Sequence, residues 1–190
     1  MRKLILGAGI IAVCCVAVIS ALWAAPPLRL AAPSLFGLHC VERVCTELEE
    51  DLAAAQGLVA KAAADVRAQT GLAIPQLNAA LCRSDDCYRR FGGGDERAIS
   101  YPFLGMAIAG HSWQDYIIRH ELIHWLQFQH FGAIETMSHP IWFREGMAYA
   151  LSSAPDWDIP DAFKTWMAQY RDWQAGRPDN TLFAGKPAFD

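Results

Sequence analysis

The pattern of apolar and polar positions predicts an α+β chain that is mostly helical with a small sheet. Residues 4–25 run for 22 positions without a charge and follow Arg2 and Lys3. A membrane-spanning helix needs roughly 20 such residues, a secretory h-region only about 7–15. A cut after Ala25 would put the bulky Trp23 at −3 and Pro26 at +1. The segment 1–25 therefore reads as an uncleaved signal anchor, with a removed signal peptide as the alternative. Either reading puts the chain beyond it outside the cytoplasm, because positive charge stays on the inner side. Residues 26–37, PPLRLAAPSLFG, read as a linker. In 46–69, Thr46 as cap, Glu49 three residues later and the many alanines predict a helix. Residues 72–81 and 101–109 are strand candidates, separated by a loop that holds Gly92, Gly93 and Gly94. From Ser112, with Asp115 as capping partner, to about Phe131 the pattern is helical and apolar on most sides, as in a buried helix. A further helix starts near Pro140, a residue suited to the first helical position, and runs to about Ser152. An amphipathic helix over about 160–174 closes the series. No repeat is visible, and residues 38–190 read as one domain.

Composition narrows the class. A chain of 190 residues, 53% hydrophobic and 19% charged, is neither disordered nor fibrous. Its net charge is −4, and beyond Arg2 and Lys3 there are 14 basic against 20 acidic residues. No broad basic surface for nucleic acid is expected. Cys14 and Cys15 lie inside the apolar run, whereas the other cysteines form two similar pairs, Cys40-x4-Cys45 and Cys82-x4-Cys87. In an oxidising compartment these read as two disulfides, with the local pairing Cys40–Cys45 and Cys82–Cys87 preferred among three connectivities. A four-cysteine structural zinc site is the alternative.

The chemistry sits in the buried helix, at His120-Glu121-Leu122-Ile123-His124. Histidines at i and i+4 stand on one helical face, where their imidazoles can share one zinc ion. Glu121 projects beside them, within reach of a water at the metal. With the chain's 6 His and eight Glu, chance would produce this pattern about 0.008 times. A catalytic zinc usually takes three protein ligands, so one more is needed. His130 is ten residues from His120. In a continuous helix that is about 80° off the shared face and about 15 Å along the axis. Glu145, 21 residues after His124 on the next helix, is the stronger candidate. It is flanked by Trp142, Phe143 and Met147, and a carboxylate there needs a cation. That cation is zinc, or else Arg119 or Arg144. Gly146 and Ala148 are small enough for the two helices to approach closely.

HELIH followed by P-x-W-F-x-E-G-x-A resembles the gluzincins, thermolysin-like HExxH zinc metallopeptidases. The likeness covers about residues 113–152. It implies a minimal zincin-like peptidase domain with His120, His124 and Glu145 as zinc ligands, Glu121 as catalytic base, and a peptide or protein as substrate. It also implies an edge strand above the zinc helix that pairs with extended substrate, a role that 101–109 could fill. Where thermolysin has an acidic residue four positions after its glutamate ligand, this chain has Tyr149. The oxyanion-stabilising residue has no direct counterpart, and Tyr149, Tyr170 and His139 are its candidates. The competing function is a membrane-anchored zinc-binding module without catalysis.

Overall fold

The structure is a computed structural model that describes residues 24–177 together with Ser20 and Phe183. Its sheet has the order β1-β2-β3-β5-β4. The strands are β1 (His39–Val41), β2 (Val44–Thr46), β3 (Asn78–Leu81), β4 (Ala98–Tyr101) and β5 (Gly105–Ile108). The three inner strands run parallel, and β1 and β4 pair antiparallel at the two edges. Strand alternation divides the interior into two cores. Ala79, Leu81, Met106 and Ile108 face the larger one, and Ala80, Cys82, Ala107 and Ala109 face the smaller. Being covered on both faces, β3 and β5 have the sequences NAAL and GMAI, without a charge.

The larger core is closed by α1 (Leu52–Thr70), α3 (Asp115–Phe131), α5 (Ile141–Ser152) and α6 (Asp161–Ala175). The smaller core is covered by α2 (Asp85–Arg90) and by the 3-10 turns Pro26–Ala31 and Pro33–Phe36. A short α4 (Ala133–Ser138) joins α3 to α5. The α+β class is as expected. Gly146 acts differently from the expectation: an added Cβ would meet the Trp166 carbonyl oxygen at 2.3 Å, so its small size admits α6 rather than the histidine helix.

Several local expectations are corrected. The stretch expected as a linker is folded, with Leu30 and Pro33 buried. Thr46 is a strand residue whose hydroxyl donates to the Leu48 carbonyl, and α1 begins six residues later. Ser112 lies in a 3-10 turn, and Gln114 takes the N-cap of α3. Of residues 72–81 only the last four form a strand. The stretch 101–109 is not one strand: the chain reverses at Phe103, where φ is +65, and splits it between β4 and β5. The edge strand is therefore β4, and β5 is internal.

Both disulfides follow the local pairing, Cys40–Cys45 across the β1–β2 hairpin and Cys82–Cys87 between β3 and α2. They point to an oxidising, extracytoplasmic environment. Among the described residues no helix is long and apolar enough to cross a membrane, and the anchor expected over residues 1–25 lies almost wholly outside them.

Candidate metal centre

Two long-range contacts fix α5 antiparallel against α3. At one end, the Gln127 amide donates to the Arg144 carbonyl at 3.0 Å. At the other, Arg119 Nε donates to the Ser152 carbonyl at 2.6 Å, a cation set on the C-terminal turn of α5. Arg119 also meets Asp65 of α1 and Asp115 of its own helix, at 2.6 and 3.2 Å. Between these ties His120 and His124 of α3 face Glu145 of α5. The two imidazole Nε2 atoms are 3.0 Å apart. Glu145 Oε2 is 3.4 Å from His120 Nε2 and 3.5 Å from His124 Nε2. These three side chains could hold a metal ion, and among the described residues no other group of three His, Cys, Asp or Glu could.

Glu145 pairs with neither Arg119 nor Arg144; its carboxylate goes to the two histidines. His130, at the exposed end of α3, touches the rings of Phe131 and Phe183 and stands outside the cluster. The helix continues past it to Phe131, as the rotation argument requires. Cys40, Cys45, Cys82 and Cys87 are bonded in pairs and form no four-cysteine site.

Electrostatics couple the three groups closely. Burial alone would push the His124 imidazolium down, but the Glu145 carboxylate outweighs it and holds the pKa up at about 9. Burial would likewise raise Glu145, yet the charge on His124 and the hydrogen bonds from both histidines hold it well below the usual carboxylate range. A proton thus occupies the place a metal would take. Metal binding is expected to displace it, so apparent affinity rises about tenfold per pH unit up to about 9 and levels off above. Calorimetry in buffers of different ionisation enthalpy should find close to one proton released per metal near neutral pH. Affinity that stays flat over about pH 6–8 would contradict this.

His124 is oriented from behind. Its Nδ1 lies 2.9 Å from Gln127 Oε1, and Gln127 is fully buried. Because the Gln127 amide nitrogen is engaged by the Arg144 carbonyl, Oε1 faces the ring. Nδ1 therefore donates, and the neutral ring keeps its Nε2 lone pair on the side of Glu145. Gln127→Ala is expected to weaken metal binding about 10–100-fold while the fold is kept, measured by competition with a chromophoric chelator.

The three side chains open into a cleft of about 780 Å³. Glu121, Tyr149, Ser100 and the apolar Ile141, Phe163 and Trp166 also line it. Glu121 is only 6% exposed. Tyr149 sets its ring edge-to-face on His120 with centroids 4.5 Å apart. Burial, reinforced by the Glu145 carboxylate, pushes its phenol up to about 12, so it stays protonated at neutral pH. Tyr170 is fully buried among Phe143 and Trp173, and His139 is packed between Phe131 and Phe143. Neither lines the cleft, which leaves Tyr149 of the three oxyanion candidates. Strand β4 forms one wall, and Ser100 donates to the Glu121 carbonyl at 2.8 Å.

No protein family, curated protein or solved structure matches the chain. Sequence reasoning missed Gln127 and Ser100. The signal for Gln127 was present: a glutamine three positions after His124, set between the apolar Leu126 and Phe128.

Proposed function

We propose that this chain is a zinc-dependent peptide hydrolase held by residues 1–25 on the extracytoplasmic face of a membrane. The convergence of His120, His124 and Glu145 carries the reading. Tetrahedral zinc with bonds of about 2.0–2.1 Å sets neighbouring ligand atoms about 3.3 Å apart. The three atoms here are separated by 3.0, 3.4 and 3.5 Å. Two imidazoles and a carboxylate are also the donor types of a catalytic rather than a structural zinc site. The resemblance of HELIH and the downstream W-F-x-E-G-x-A to gluzincins supports the same assignment.

When bound, zinc supplies Lewis acidity, which polarises a carbonyl and acidifies a water to a pKa of about 7. The remaining steps belong to the chain. Glu121 takes a proton from water as the water oxygen attacks the peptide carbonyl carbon, and returns it to the leaving nitrogen as the C–N bond breaks. Tyr149, protonated and beside His120, donates a hydrogen bond to the carbonyl oxygen as charge develops there. The Arg97 carbonyl accepts from Ala109 N–H just beyond the end of β5, so by alternation the backbone groups of Ala98 and Ser100 face the open edge. An extended peptide can add to β4 at those groups, along the wall of the cleft.

The test is turnover of a mixed peptide library by purified full-length protein. Cleavage is expected with zinc, lost on chelation and restored when zinc is added back. Stoichiometric zinc without cleavage of any library member would instead favour the non-catalytic binding module.

A further inference from the structure

Two arginines line the cleft, Arg97 and Arg144, and they are provided for very differently. Arg97 Nη1 is 2.5 Å from Asp158 Oδ2, and its other terminal nitrogen donates to Gln114 and to the Tyr116 hydroxyl. Arg144 meets no carboxylate among the described residues. Its Nη1 reaches only the Met137 sulfur, at 3.3 Å, and a thioether is a weak acceptor. Its Nε is buried with no hydrogen-bond partner among the described residues. The helix offers no relief, because positions three and four residues either side hold Pro140, Ile141, Met147 and Ala148. The adjacent Glu145 is committed to the histidines. A buried donor left without an acceptor is costly, and a charged one more so. The backbone carbonyl of Arg144, by contrast, is satisfied within the chain by the Gln127 amide.

We infer that Arg144 is the recognition point for a carboxylate on the molecule that enters the cleft. The planar guanidinium offers a fork that matches two carboxylate oxygens. The neighbouring walls, Met137 and Ile141, are apolar and offer the guanidinium no competing acceptor beyond the Met137 sulfur. The carboxylate can come from a peptide C-terminus or from an acidic side chain. The inference rests on the hydrolase reading only in calling that molecule a substrate.

The test uses full-length, zinc-loaded protein and one N-acetylated apolar pentapeptide in three forms: the free acid, the C-terminal amide, and the amide with one glutamate. Calorimetry gives affinity, and product analysis of the same mixtures gives turnover. At least one anionic form is expected to bind about 10–100-fold tighter than the neutral amide, and which one does so names the source of the carboxylate. In Arg144→Gln that preference should fall to within about twofold at unchanged zinc content, while Arg144→Lys, which keeps charge but not the fork, retains part of it. Equal binding of all three forms, or no binding of either anionic form, overturns the inference. So does a preference that survives in Arg144→Gln, because the metal would then be capturing the carboxylate. A preference without turnover leaves Arg144 in its role and removes the hydrolase reading; turnover without preference does the reverse.

Discussion

Replacing Glu121 with glutamine is expected to leave zinc content and fold unchanged and to cut peptide turnover by about 10²–10⁴-fold. Glutamine has nearly the same shape, so the cleft wall stays filled. The ligand cluster does not include Glu121, so the metal should remain. Only the ability to accept and return a proton is lost. Turnover and elemental zinc should be measured on the same preparation. A variant that keeps more than about a tenth of the wild-type rate would remove Glu121 from the proton-transfer role.

Glu145→Ala should have the complementary effect on the metal. Structural zinc sites gain about 10–16 kcal/mol from four ligands, or about 2.5–4 kcal/mol for each. Loss of one ligand is therefore expected to weaken binding about 10²–10³-fold, and zinc remaining after dialysis should fall from one per chain toward none. A second consequence separates lost ligation from misfolding. Without the Glu145 carboxylate the strongest influence that opposes burial is gone, and the His124 pKa should drop from about 9 in the metal-free protein. The His124 ring resonances in an NMR titration report this directly. Zinc retained at one per chain would transfer the third ligand elsewhere.

Much of the site was legible because its geometry is local. The i, i+4 histidines need only that 120–124 be helical, and the surrounding apolar residues made that helix evident. Glu145 lies across a helix–helix contact, yet a carboxylate among Trp142, Phe143 and Met147 needed a polar partner, and it lies beside His120 and His124. The two cysteine pairs closed as their short spacing suggested. Other features depended on contacts the pattern does not encode. Strands β1 and β2 have three residues each, too few to show a period of two. Pro26–Phe36 looked like a linker because its prolines favour 3-10 turns as readily as extended chain, and only the packing of Leu30 on β3 and β5 distinguishes them. The division of 101–109 was signalled by Pro102 and Gly105. At Gly105 an added Cβ would come within 2.0 Å of the Asn78 carbonyl oxygen, a constraint visible only once β3 lies alongside. Gln127 reads in sequence as an interruption of an apolar helix. In space it links Arg144 of α5 to His124 of α3, and so couples the position of Glu145 to the orientation of the His124 ring.

The most direct measurement is anomalous diffraction at the zinc absorption edge from crystals grown with zinc. One strong peak is expected about 2.0–2.1 Å from each of His120 Nε2, His124 Nε2 and the near carboxylate oxygen of Glu145. A fully loaded crystal with no peak there, or with its peak beside other side chains, would contradict the account.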